Sequence, residues 1–379
     1  MKIELTDKHI VLRRTVRSFA DREIRPIAAA IDQEARFPWE VVEKMARLGY
    51  FGIQTPRELD GAGMDSLSYA LIVEELSRAS AGIGLCVAVH NSVALYPLLA
   101  FGSEAQKRRW VPPLARGERI GAFCLTEPNA GSDAAGIEAT AVADGDGYRV
   151  NANKVFVTNG AVADVCLLFV RTGTTGGKED ISVVVAERGT PGFAVGDLED
   201  LCGMRANPVS SIRLCDCRVP AFNLLGRPGM GLQIGLAALD TGRVGIAAQA
   251  LGIAQAALDE SLRYARQRRQ FGQPLARHQA IQMMIADMAT RVDAARLMVY
   301  RAAALRDDGR PFGTQAAMAK LFASETATAV TDLAVQIHGG YGYSKAYPVE
   351  RYYRDARVTR IYEGTSEVHR MVIARGVLG

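Results

Sequence analysis

Metal-binding patterns are the first thing this 379-residue chain lacks. Its six cysteines, at 86, 124, 166, 202, 215 and 217, contain no C-x-x-C pair, and its five histidines contain no H-E-x-x-H. Cys215 and Cys217 flank Asp216 and on a strand would share one face, which reads as two small half-buried thiols. No metal is expected, and the thiols fit a reducing compartment. Clustered basic residues are also missing. The chain has 45 Lys and Arg against 41 Asp and Glu, interspersed, for a net charge of +4, so nothing points to nucleic acid. A few local arginines still suffice for an anionic substrate. No run of about 18 apolar residues is present, so no membrane span is expected. The stretch "MKIELTDKHIVLRRTVRSFADREI" carries Glu4, Asp7 and Asp21 among its bases and no apolar centre. It is expected to be neither a signal nor a transit peptide, which gives a bacterial cytoplasmic location as the expectation. There is no G-x-G-x-x-G after a strand, no Walker A and no nucleophile elbow, so neither a Rossmann site, a phosphate loop nor a serine hydrolase is supported.

What is present divides into three zones, and at 49% hydrophobic the chain can fill two or three cores. Residues 1–118 read as helical. Ile10, Val11, Arg14, Phe19 and Ile24 recur at steps of roughly three to four, "PWEVVEKMARLGYFG" predicts a helix entered at Pro38 and closed at Gly49, and Asp65 suits an N-cap. Residues 119–223 change character. "GYRVNANKVFVTNG", "DVCLLFV", "ISVVVAE", "GFAV" and "SIRLCDCRVP" are short β-branched runs between turn residues, the pattern of an antiparallel β domain, with "DGDG" (144–147) as a hairpin turn. Residues 224–379 return to helix. Ile281, Ile285, Met288, Val292, Ala295, Val299 and Ala302 alternate steps of four and three, as in a bundle, and "DDGRP" (307–311) ends that helix. The fold class is therefore α+β, mainly α: an N-terminal helical domain, a central antiparallel β domain and a C-terminal four-helix bundle.

Several polar, glycine-containing loops carry the chemistry-capable groups. "CLTEPNAGSD" (124–133) offers hydroxyls and backbone N–H groups to a ligand, although alone it reads first as a connection between domains. "KVFVTNG" (154–160) alternates like a strand, with Phe156 and Thr158 on one face and Val155 and Val157 on the other. "RQRRQFG" (266–272) reads as a solvated basic helix end. "IYEGTSEVHR" (361–370) sets Glu363 between an aromatic residue and a glycine, and is either a charged turn or a working carboxylate.

In order, "CLTEPNAGSD", "KVFVTNG", "RRQFG", "VQIHGGYGY", "YPVERYYRDAR" and "IYEGTSEVHR" resemble the signatures of the acyl-CoA dehydrogenase family. The resemblance spans essentially the whole chain and is greatest to the short-chain, butyryl-CoA type. It implies FAD as cofactor, an acyl-CoA oxidised to its trans-2-enoyl-CoA, an electron-transferring flavoprotein as acceptor, and a homotetramer. The chemistry explains the residue types. A proton alpha to a thioester is weakly acidic, so a base must be positioned for it and the developing charge stabilised. By motif the resemblance makes Glu363 that base, with Gly364 leaving room for the thioester. Some family members carry the base at the position of Gly242, which has no side chain to serve.

The same resemblance assigns the flavin to Phe123, Leu125, Thr126, Ser132, Phe156, Val157 and Thr158. Phe156 stands where many relatives have tryptophan. The rest of FAD falls to Arg268, Phe271, Gln279, Gln336, Gly339, Gly340, Thr365 and Glu367. A guanidinium suits the pyrophosphate, typically from a neighbouring subunit. Substrate contacts are implied for Ser132, Asp240, Arg243, Tyr362 and Gly364, with Leu85, Val89, Val93 and Ile246 bordering the acyl chain. Straight and branched short chains, and an oxygen-reducing oxidase of the same fold, stay open. A non-catalytic helical scaffold is the reading from another class.

Overall fold

The structure, a computed structural model, describes residues 5–379, so Glu4 lies outside it. The first part is helical: α1 (Asp7–Phe19), α2 (Ala28–Gln33), α3 (Trp39–Arg47), α4 (Ser66–Ala79), α5 (Ala81–Val89), α6 (Tyr96–Phe101) and α7 (Glu104–Ala115). Local chemistry sets the ends. The Asp65 carboxylate accepts from the Ser68 N–H at 2.7 Å and starts α4, while Ser103 and Gln106 form a reciprocal capping box on α7. The expected helix after Pro38 is α3, closed by Gly49 at φ +76°. Phe19 and Ile24 are buried, whereas Val11 faces solvent. A π-turn over His90–Leu95 joins α5 to α6 in one helical run, Ala81–Phe101. By length and composition alone that run would pass for a membrane span, although His90, Asn91 and Ser92 interrupt its apolar sequence. Some 83% of its most apolar stretch is buried inside the protein, and Leu85, Val89 and Val93 belong to the core.

An eight-stranded sheet follows, with β1 (Gly121–Cys124), β2 (Thr140–Asp144), β3 (Gly147–Thr158), β4 (Val165–Arg171), β5 (Ile181–Glu187), β6 (Phe193–Leu198), β7 (Val209–Pro220) and β8 (Leu224–Leu225). The order is β6-β7-β3-β2-β4-β5-β8, with β1 added on β4. Most pairings are antiparallel, including the β2–β3 hairpin around Gly145. Two are parallel: β1 with β4, and β2 with β4 at Thr140–Arg171. The β2–β3 hairpin is inserted between β1 and β4, and that long connection is what lets the pair run parallel. Strand β4 is covered on both faces. Cys166, Leu168 and Val170 enter one core, and Val165, Leu167 and Phe169 enter another.

Two bulges break the expected alternation. Phe156 takes φ +54° where the β3–β7 register shifts between Lys154 and Val157. Val157 is buried while Phe156 is thrown outward. Asp216, at φ +46°, interrupts β7 in the same way, so Cys215 is exposed and Cys217 buried instead of sharing a face.

The last part is a bundle of long helices. α8 (Gly231–Gln267) leads through a small hairpin, β9 (Arg269–Gln270) and β10 (Gln273–Pro274), to α9 (Gln279–Asp307), α10 (Gly313–His338), α11 (Val349–Val358) and α12 (Ser366–Leu378). Met288, Val292, Ala295, Val299 and Ala302 of α9 are buried, with Ile281 and Ile285 packed at the edge. Helix α8 lies at the centre, packed against α4, α5, α9, α10 and α11. Asp307, at the end of α9, accepts from the Ser66 and Leu67 N–H groups at 2.7 and 3.1 Å. The start of α4 is thus capped from the bundle.

Candidate active site

The stretch after α11 folds back on the bundle in a sharp turn. Glu363 (φ +51°) and Gly364 (φ +98°) are both left-handed, and the Thr365 hydroxyl then caps α12 by accepting from Val368 N–H. A glutamate is disfavoured in that region, so the surroundings must hold it there. The reversal presses the Glu363 carboxylate against α8. A Cβ built on Gly242 would lie 2.1 Å from Glu363 Oε2. Both carboxylate oxygens are enclosed and have no hydrogen-bond partner. Burial pushes the Glu363 pKa up to about 7, opposed in part by Lys320 and Arg243.

Two buried bases stand behind this turn. Lys320 of α10 donates to the Gly364 carbonyl at 2.6 Å, and burial pulls its pKa down to about 7 against the pull of Glu363. His369 packs where a Gly364 side chain would project, 3.1 Å from the built Cβ. Neither of its ring nitrogens finds a well-formed hydrogen bond. Burial, with Lys320 and Arg243 adding to it, drives its pKa to about 3, so the ring is neutral.

Beyond the carboxylate, α8 presents glycines and one amide. The Tyr69 hydroxyl lies 2.1 Å from the Cβ position of Gly245 and donates to Ala88 O at 3.0 Å. Tyr362 donates to Gln249 Oε1 at 2.5 Å, and Gln249 Nε2 donates to Ala81 O at 2.9 Å. These bonds tie α8, α5 and the turn together two helical turns from Gly242. Ile246, in the buried core, lies between. Arg243 is buried and paired with Asp240 at 2.5 Å, its Nε left without a partner.

An apolar cavity of about 420 Å³ adjoins this region, and Leu85, Phe156, Thr158, Val209, Val358 and Tyr362 are among its walls. The β-domain loops beside it are stitched together from below. Lys154, fully buried, pairs with Glu127 at 2.6 Å and donates to Leu125 O at 3.1 Å. Glu127 also accepts from the Glu138 and Ala139 N–H groups, and Val155 N–H donates to Thr126 O at 3.0 Å. Phe123, at the other end of that loop, packs on Phe169. Ser132 is exposed beyond it. A second cleft of about 560 Å³ gathers Arg268, Gln270, Gly339, Gly340 and Tyr341, with the Arg268 guanidinium over the Tyr341 ring. Phe271, 94% exposed at the hairpin tip, and exposed Gln279, Gln336 and Glu367 line neither cavity within one chain.

Models of the acyl-CoA dehydrogenase N-terminal, middle and C-terminal domains match residues 6–118, 122–217 and 229–378. The chain belongs to the acyl-CoA dehydrogenase family. It is an oxidoreductase of the class acting on CH–CH groups, and the family's cofactor is FAD. The short-chain specific acyl-CoA dehydrogenase of Mus musculus mitochondria is 48% identical over 376 residues, which is 99% of this chain and 91% of its own length. Butyryl-CoA dehydrogenase from Megasphaera elsdenii superposes with a TM-score of 0.98 at 42% identity, covering 100% of both chains. A chain in a structure of the electron transferring flavoprotein of Acidaminococcus fermentans matches with a TM-score of 0.98 at 44% identity, again over 100% of both.

FAD fits the residues present. Phe156 is 61% exposed beside an apolar cavity, an open aromatic face suited to a flat ring. Gly339 and Gly340 have nothing within 4 Å of their built Cβ atoms, and Arg268 stands at the same cleft for a phosphate. Sequence reasoning missed Lys154, Glu127, Lys320, Gln249 and His369. For two of these a signal existed. Lys154 continues the inward i, i+2 row of Val150 and Ala152, and Lys320 sits in the alanine stripe of α10.

Proposed function

We propose that this enzyme converts a short-chain acyl-CoA to its trans-2-enoyl-CoA, with Glu363 removing the α proton. The observation that carries the reading is the enclosed, unpartnered Glu363 carboxylate against Gly242, next to Tyr362, which lines the apolar cavity and is held by Gln249. The bond that breaks first in this reading is Cα–H, its proton passing to a Glu363 oxygen. Burial makes that oxygen a better proton acceptor than a surface carboxylate. FAD, when bound, accepts the hydride that leaves Cβ. The left-handed turn exposes the backbone at Gly364 for close approach of the thioester. Arg243 and Asp240 take the CoA side of the thioester, with Ser132. Gln249 lies seven residues along α8 from Gly242, roughly 10 Å at 1.5 Å per residue, which suits a few carbons.

For the cofactor, Phe123, Leu125, Thr126, Phe156, Val157 and Thr158 border the flavin ring, and Ser132, Thr365 and Glu367 its edges. Arg268, Gln336, Gly339 and Gly340 hold the phosphate and adenosine part. The outward placement of Phe271 and Gln279 supports a homotetramer in which a neighbour completes this part. An electron-transferring flavoprotein is the proposed acceptor, and 1–118, 119–223 and 224–379 the proposed domains. The test is anaerobic addition of acyl-CoAs of increasing length to the purified yellow protein. Butyryl-CoA is expected to bleach the flavin band fastest. A protein that takes up no FAD, or that long chains reduce faster, defeats the reading.

A further inference from the structure

On its α10 side, the turn that carries Glu363 is held by a buried lysine. Lys320 occupies the core stripe of α10, among Ala316, Ala317, Ala323 and Ala327, all buried. A lysine there is costly unless its charge meets a partner. It meets the Gly364 carbonyl at 2.6 Å, the short, charge-assisted kind of hydrogen bond. The charged and titratable groups that face it come from every side. They are Glu363 in the turn, Arg243 of α8, Arg360 just before the turn, and Glu367 and neutral His369 of α12.

We propose that Lys320 is a positioning residue for the base: by holding the Gly364 carbonyl it fixes the two left-handed residues and keeps the Glu363 carboxylate at Gly242. This rests on the reading of Glu363 as the base. While protonated, the same lysine faces the carboxylate and favours its ionised form, so geometry and charge come from one group. A lysine that merely joined α10 to α12 would affect folding and cofactor content but leave proton transfer unchanged in the folded fraction.

The test uses the FAD-loaded enzyme and a 3-thia acyl-CoA deuterated at Cα, whose β sulfur has no hydride to give. Loss of deuterium to water then reads the base alone. It is followed from pH 5.5 to 9 together with flavin content, thermal midpoint and affinity for the analogue. In Lys320→Met, exchange is expected to fall about 10- to 100-fold, as for a displaced catalytic group, with affinity changed less than about twofold. Its rising limb is expected to move up in pH, because the positive charge that Lys320 carries below about pH 7 no longer faces the carboxylate. Lys320→Gln keeps a donor without the charge, so it should recover part of the rate but not the limb. Backbone amide exchange over residues 361–366 should quicken in both variants. Wild-type rate, limb and amide exchange in the folded, flavin-loaded fraction of either variant overturn the proposal. Glu363→Gln serves as the control. If it still exchanges deuterium, the base assignment itself has failed, a result separate from any result at Lys320.

Discussion

At the scale of single residues, the site depends on what surrounds one carboxylate. Glu363 has its pKa raised to about 7, so the ionised form that can accept a proton predominates only above that pH. Flavin reduction by substrate is therefore expected to rise with pH through about 7 and level off. A limb at the ordinary carboxylate value near 4.5 would contradict the burial described. Gly242 is the second sensitive residue. Its built Cβ lies 2.1 Å from Glu363 Oε2, so Gly242→Ala must push the carboxylate aside. Reduction is expected to fall on the order of a hundredfold, as for a misplaced catalytic group. Circular dichroism and FAD content should stay near wild type. Glu363 was legible in the sequence because its neighbours "IY" and "GTS" form a recognisable local pattern. The stripe of α10 marks Lys320 as a core lysine, but its partner, like that of Gln249, was not legible, because the two bonds reach 44 and 113 residues along the chain.

At the scale of elements, the sheet shows why local patterns mislead. A strand read by strict alternation puts Val155 and Val157 on one face. The bulge at Phe156 inserts a residue and re-aims the aromatic ring toward the cavity. Nothing in "KVFVTNG" announces φ +54°, since that conformation is imposed by pairing with β7 and by the loop below. Lys154 and Glu127 anchor that loop. Replacing Lys154 by Met would leave the buried Glu127 carboxylate without its counter-charge, which should cost about 3 kcal/mol of stability, at the low end for a broken buried pair because two backbone N–H groups still reach it. The double variant Lys154→Met with Glu127→Gln should lose less than the sum. Urea denaturation of the three variants checks this, and additive losses would mean that the pair is not coupled.

For the whole molecule, the order helix, sheet, bundle was readable because each zone repeats its own period over many residues. What composition could not reveal was which long-range contacts join the zones, such as Asp307 of α9 capping α4 or the tie from Tyr362 through Gln249 to α5. Global stability should register the active site as a local burden. The folded pKa of Glu363, about 7, lies above the ordinary 4.5, so burying its ionised form opposes folding at high pH. That penalty is full above about 7 and vanishes as pH falls below about 4.5. Glu363→Gln should therefore raise the unfolding free energy at pH 8 by roughly 3 kcal/mol. The gain should shrink toward zero near pH 4.5, as denaturant midpoints at both pH values would show.

The close approach of Gly242 and Glu363 also bears on where a base can be carried. Positions 242 and 363 draw on one volume, so a Cβ at the first obliges the carboxylate at the second to shift. A carboxylate carried on α8 at 242 would enter that space from the opposite wall to one carried by the turn at 363. The glycine at 242 leaves the shared volume to Glu363 alone.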